Sequence, residues 1–283
     1  MNSLLSRPAQ RLFTFGCSFT NYPWPTWANI VASELDIPFW NYAEGGAGNQ
    51  YIFNMIMQAD ALHKFTKDDA IMICWSSVTR EDRYINDEWQ LYGNIFNNPA
   101  ASAQGIWGSL QRSRAQKFLA NWGDPAGFLV RDLAFVKASV ELINSRGCQL
   151  TQLSMMGFQL EDTRDEAIEV DNMLRLIYGQ YIDQINSSFY QVLWDNDLGN
   201  KQKINLDLVG KQYKDMHPWP AEHMNYIEKV LDYQFSERVK QDVEDAQQLV
   251  EDKITGKIRE DIGFPKTFPQ GLPRRGIYKS AEI

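Results

Sequence analysis

The chain has 283 residues, 44% apolar and 23% charged, with a formal net charge of −8, an ordinary composition for a soluble globular protein of one large or two small domains. That negative balance argues against a nucleic-acid binder and against adhesion to an anionic membrane surface, both of which need clustered Lys and Arg. No stretch approaches the roughly 18 apolar residues of a membrane span, and the three His show no HxH or HExxH spacing, so no metal is expected.

The first seven residues, Met1 to Arg7, carry a two-residue apolar core and no cleavage pattern, so no signal peptide is expected and synthesis is read as cytoplasmic. Cys17, Cys74 and Cys148 form no CxxC pair; Cys74 and Cys148 lie in or beside apolar runs and are expected reduced and packed. Aromatic residues reach 13%, with nine Trp. Most must be core, and a surplus can line a cleft for sugars or other flat amphipathic ligands.

In chain order, Arg11 to Gly16 is a short apolar strand ending in glycine. Trp27, Ile30, Val31 and Leu35 then recur at helical spacing behind Thr26, a plausible N-cap. Ile37 to Asn41 is a second strand, and Asn49 to Phe65 a second helix with Ile52, Ile56, Ala59 and Leu62 on one side. His63 is expected to be solvated beside Lys64. Ala70 to Trp75 is continuously apolar, as buried parallel strands are. Between Tyr84 and Gly127 the period is lost, and the stretch is expected to be loops and short helices over the sheet edge. A helix follows over Phe128 to Ser145, then a strand over Gln149 to Met155, a polar helical passage over Leu160 to Gln184, and a fifth strand over Phe189 to Trp194. Pro220 opens one long helical pattern reaching Leu249. Gly263 to Ile283 has no period, and four basic residues against Glu282 give it a net charge of +3.

This β-α-β-α-β rhythm with right-handed crossovers predicts an α/β fold: a three-layer α/β/α sandwich around a five-stranded parallel, flavodoxin-like sheet. Residues 1–250 are expected to form the α/β domain, with 84–127 inserted, and 251–283 a C-terminal extension or arm. The tail is read as extended or disordered, or as an arm that docks on an acidic neighbour in a homo-oligomer or larger assembly.

Ligands of such sheets bind where the strands end. Strand one is followed by Gly16-Cys17-Ser18-Phe19-Thr20, strand two by Asn41 through Asn49 with Gly45, Gly46 and Gly48, and strand three by Trp75-Ser76-Ser77-Val78-Thr79-Arg80. Asp215-Met216-His217-Pro218 precedes the last long helix, where a loop could return it to those ends. A hydroxyl, an imidazole, a carboxylate and glycine-borne N–H donors are what acyl transfer needs. His223 is expected to be structural.

These segments resemble, in order, the four motif blocks of the SGNH (GDSL-like) hydrolase family. Phe15 to Thr20 is similar to the first block, with Cys17 where the family often has Asp. Asn41 and Gly46 are similar to the second, and Asp215 to Pro218 to the last. The third block departs, because the family's Gly-x-Asn-Asp is replaced by Trp-Ser-x-x-x-Arg without its asparagine. The resemblance spans roughly Leu12 to Leu231. It implies a serine ester hydrolase with Ser18 as nucleophile, His217 as base and Asp215 as its orienting partner. The oxyanion hole would be formed by Ser18 and Gly46, assisted by Ser77 or Asn49. No cofactor is implied. Arg80 and Trp75 are candidate substrate contacts, and the substrate a small-molecule or glycan ester. An O-acyltransferase, or a weakly active component of an assembly such as a phage particle, would use the same scaffold.

Overall fold

The computed structural model describes residues 4–95, 121, 123–158, 165–194, 204–208, 211–215, 217–254 and 267–271. Strands β1 (Arg11–Phe15), β2 (Phe39–Asn41), β3 (Asp69–Trp75) and β6 (Gln149–Ser154) form one parallel sheet in the order β2-β1-β3-β6. Every residue of β3 is buried, as a central strand covered on both faces requires. Its first residue, Asp69, is held by Arg11 at 2.6 Å across the register, closing the N-terminal edge of the sheet with a charge pair.

Helices cover both faces. On one lie α1 (Trp27–Leu35), α5 (Pro220–Leu231) and α6 (Glu237–Ile254), and on the other α2 (Asn49–His63), α3 (Pro125–Ser145) and α4 (Asp165–Ile182). Thr26 starts α1 as expected, its amide donating to Asn29 Oδ1 at 2.9 Å, and Trp27, Ile30 and Val31 bury their side chains completely. At about 1.5–3 kcal/mol for each large apolar side chain removed from water, that face suffices to dock the helix. Helix α3 starts three residues before the expected position, capped by Asp124, which accepts from Ala126 N at 3.0 Å. All three cysteines are free and buried. Among the described residues, no helix is long and apolar enough to cross a membrane.

The sheet differs from expectation at its fifth position. Phe189 to Trp194 is helical, ending in a π-helical turn over Tyr190–Trp194. Phe189, Val192 and Leu193 are the buried residues, at helical spacing, and Phe189 stacks on Tyr226 with centroids 3.5 Å apart. The alternation of the sequence was coincidental, and ring packing on α5 decides the conformation. The fifth sheet position is occupied by one parallel bridge, Gln152 to Ile185.

The expected loop insertion begins with an antiparallel hairpin, β4 (Arg80–Ile85) and β5 (Glu88–Asn94); positions 96–120 lie outside the described residues. A second hairpin, β7 (Ile204–Leu208) and β8 (Lys211–Asp215), precedes α5. The single long C-terminal helix is two helices. Asp232 ends α5 in the left-handed region at φ 47°, and Tyr233 and Ser236 turn the chain by bonding Glu34 on α1. His63 is half-buried and its Nε2 shares a 2.7 Å hydrogen bond with the Tyr42 hydroxyl, so it is part of the packing and not a solvated surface group. Of the tail, residues 267–271 are described: Phe268 is buried, and Pro269 O accepts from Asn29 on α1.

Candidate active site

The site is built from the loops leaving β1 and β2. Gly16 ends β1 where no side chain fits, since an added Cβ would lie 2.1 Å from Thr20 Oγ1 and 3.1 Å from the Cys74 carbonyl. The chain then coils tightly, Thr20 N and Asn21 N both donating to Cys17 O, which lifts Ser18 onto the crest of the turn. Ser18 is 6% exposed. The helix that follows begins nine residues later, at Trp27, where the spacing predicts it, and is tied back by Thr26 Oγ1 donating to Thr20 O at 2.8 Å.

Asn41 joins this turn to the glycine loop. Its Nδ2 donates to Thr20 O at 3.0 Å and its Oδ1 accepts from Ala43 N at 3.1 Å, both buried. Asn21 Nδ2 to Ala43 O and Glu44 N to Gly16 O add two further stitches. Gly46 takes φ +81° in the glycine loop, a conformation that side chains other than glycine's rarely adopt. Among the described residues, the backbone N–H groups of Ser18 and Gly46 donate to no protein acceptor. Buried or half-buried amides left in this way are equipped to bind an anionic oxygen.

His217 returns to the same loops. Its ring stacks on Tyr22 at 3.8 Å and lies 5.6 Å from the Phe19 ring. The next residue is anchored as well, Pro218 O accepting from Trp24 Nε1 at 2.8 Å. The imidazole is half-buried and sits beside both ring neighbours of Ser18's turn, with no direct hydrogen bond to the serine hydroxyl among the described residues. Asp215 ends β8 two positions earlier; its side chain lies outside what is described. His223 is fully buried against Phe189, with neither ring nitrogen bonded. Burial, reinforced by nearby His217, pushes its pKa down to about 3, so it stays neutral.

Around the end of β3 several donors are committed, while the buried Ser76 hydroxyl and Arg80 Nε have no partner among the described residues. Asn49 Nδ2 donates to Ser76 O and to Asp132 Oδ2 while its Oδ1 accepts from Ser76 N, so both amide hydrogens are committed and cannot assist an oxyanion in this arrangement. The Ser77 hydroxyl is 2.6 Å from that of Thr79. Trp75 is fully buried and donates to Gln152 Oε1, which makes it core instead of a substrate contact. Arg80 donates to Ala47 O at 2.9 Å and approaches Met155 Sδ, so its guanidinium faces the glycine loop and the protein interior.

Four contributing residues escaped the sequence reading. Tyr22 and Trp24 hold the His217 segment, Asp82 holds the start of α2, and Asp132 holds Asn49. Asp132 carried a legible signal, a carboxylate on the apolar stripe of Leu129, Leu133 and Val136. Burial pushes its pKa up to about 7 against the lowering pull of Arg131 and Asn49.

No known family profile matches the chain, and no curated protein matches it. Solved structures do. One is a member of the lipolytic protein G-D-S-L family from Veillonella parvula, at 17% identity over 79% of this chain and 97% of that one, TM-score 0.40. Another is a GDSL-like lipase from Bacteroides thetaiotaomicron, at 10% identity over 84% and 89%, TM-score 0.38. A third is an acetyl xylan esterase from Butyrivibrio proteoclasticus, at 11% identity over 81% and 64%, TM-score 0.36. The chain is similar to GDSL-type hydrolases.

Proposed function

We propose that the chain is a serine-dependent ester hydrolase of the SGNH (GDSL-like) type. The observation carrying this reading is the pair of stitched loops that leaves the Ser18 and Gly46 amides unbonded beside a returning imidazole. His217 takes the Ser18 proton as Oγ attacks the acyl carbon, and the two amides hold the developing oxyanion. His217 then protonates the departing alcohol. Water attacks the acyl-enzyme, giving its proton to His217, and the acid leaves as Ser18 is restored. Asp215 orients the imidazole in this scheme.

An O-acyl group on a carbohydrate is the substrate class we favour. Half-buried Tyr190 and Trp194 lie 6.4 and 6.3 Å from the Phe19 ring, next to Ser18. Flat aromatic faces beside a nucleophile suit the apolar face of a sugar ring.

A weakly active binding component of a larger assembly is the second reading, favoured by the committed side chain of Asn49 and the missing third-block asparagine. One lost oxyanion donor costs about 10²- to 10³-fold in rate. Labelling with a fluorophosphonate decides between the two: a mass shift on the peptide bearing Ser18, absent after Ser18→Ala, supports the hydrolase. An unlabelled Ser18 removes it. Release of acetate from acetylated xylan against acetylated small esters then tests the substrate class.

A further inference from the structure

Asp82 stands on β4 and is 1% exposed. Each of its carboxylate oxygens accepts a backbone N–H from the start of α2, Oδ1 from Gly48 at 2.8 Å and Oδ2 from Tyr51 at 2.9 Å. Gly48 is the N-cap of that helix and brings no capping side chain of its own. The cap is therefore supplied from another element, and its charge also meets the positive end of the helix dipole. Arg80, two residues earlier on the same strand, donates through Nη1 to Ala47 O at 2.9 Å. The hairpin comes so close that a methyl group at Gly48 would lie 2.8 Å from Asp82 Oδ2 and 2.9 Å from Arg80 Cβ.

Between these grips and the first loop runs the turn of Gly45, Gly46 and Ala47. Nothing packs within 4 Å of where a Gly45 side chain would be, and a methyl at Gly46 would reach Leu91 of β5 at 3.8 Å, an ordinary contact. The direction of the Gly46 N–H is thus set by the bond that closes the turn, Ala47 N to Glu44 O at 3.2 Å, and by what holds its ends. One end is fixed by Glu44 N bonding Gly16 O at 3.3 Å, the other by Arg80 and Asp82.

We propose that Arg80 and Asp82 are positioning residues that fix the Gly46 amide toward the oxyanion, coupling the hairpin to the reaction without touching substrate. This rests on the hydrolase reading above. It gives Arg80 a role in loop geometry where the sequence had suggested substrate contact.

The test uses the full chain, with Asp82→Asn, Gly48→Ala, Arg80→Ala and Arg80→Lys beside the wild type. Asparagine keeps one acceptor and turns an NH₂ group against the Gly48 or the Tyr51 amide. Expected for Asp82→Asn is a kcat for p-nitrophenyl acetate lower by about 10- to 100-fold, with KM within about twofold and Ser18 phosphonylation slowed in step, as misplacement of about 1 Å produces. Amide exchange over residues 44–52 should quicken, with β1 and β3 unchanged. Arg80→Lys, still able to reach Ala47 O, should recover part of what Arg80→Ala loses. Wild-type exchange over 44–52 in Asp82→Asn, or unchanged turnover, overturns the proposal. If Asp82→Asn does not fold, Gly48→Ala and Arg80→Ala must show the same exchange signature or the proposal falls. A wild type unlabelled at Ser18 sinks the hydrolase reading, and the exchange comparison still decides the clamp.

Discussion

The imidazole of His217 lies on the phenol ring of Tyr22, centroids 3.8 Å apart and planes inclined by 21°. About two hundred residues separate them in sequence, so the contact is the fold's means of bringing the imidazole to the strand ends. The Trp24 indole N–H bonded to Pro218 O fixes the backbone of the same segment.

From that contact follows a separation of roles. His217→Gln removes the base and should reduce hydrolysis by at least about 10²-fold, the contribution of a positioned proton acceptor. Tyr22→Ala leaves the base but frees its ring, and should lower kcat by about tenfold with little change in KM. Steady-state kinetics on p-nitrophenyl acetate check both. Equal activity of Tyr22→Ala and wild type would mean that the stack contributes nothing to the reaction.

Asn41 is the second joint. Replacing it by alanine removes one of the two donors on the Thr20 carbonyl and the side-chain acceptor of the Ala43 amide, both in buried surroundings. Each buried hydrogen bond lost costs about 0.5–1.5 kcal/mol, so Asn41→Ala should lower the urea midpoint and slow Ser18 labelling together. A midpoint within error of wild type contradicts the joint. Asn41→Asp keeps Oδ1 as acceptor for Ala43 N and loses the donor to Thr20 O, so it should fall between the two.

Much of the frame was legible because strong local signals agreed with the tertiary answer. The apolar run of β3, the Thr26 cap and the Gly16 exit each had one physical reading. The failures share a cause too. Phe189 to Trp194 alternates like a strand, yet its buried members fall at helical spacing once Tyr226 offers a ring to stack on. Asp232 carries no sequence mark of a helix end, and the break depends on Glu34, about two hundred residues away, being there to bond Tyr233 and Ser236. The places of Ser18 and the glycine loop could be read from strand order. The groups that hold them could not, because Asp82 and Tyr22 act through contacts that exist after folding.

Two buried carboxylates give the stability a definite pH dependence. Burial pushes Asp132 up to about 7 and Asp82 up to about 6 from a reference of 3.8, with Arg131 pulling both down and the Asp82 charge raising Asp132. A raised folded-state pKa means the folded chain holds more protons than the unfolded chain between about pH 4 and 7. The contribution is therefore complete below pH 4 and is lost as pH rises toward 7. Asp132→Asn removes one such group, so its urea-derived stability relative to wild type should improve by about 2 kcal/mol from pH 5 to pH 7. Parallel pH curves for the two proteins would show that Asp132 is ionised throughout, held so by Arg131.

The C-terminal segment offers the last test, because two roles predict different outcomes. Phe268 is buried, Pro269 O accepts from Asn29 at 2.9 Å, and a methyl at Gly271 would come within 3.2 Å of the Asn41 amide nitrogen. The segment thus rests on α1 and β2 of its own chain and reaches the residue that joins the two site loops. Removing residues 263–283 exposes the groove that Phe268 fills, and Phe268→Ala alone should cost about 3–5 kcal/mol if the ring is held in a preformed pocket. Expected is a lower urea midpoint for both variants, with the size-exclusion mass of the truncated protein smaller by no more than the missing residues. A truncated protein that keeps its midpoint but drops to a lower association state would assign the basic tail to assembly. Ser18 labelling should slow in the truncated protein as well, since Asn41 loses the backing that Gly271 provides.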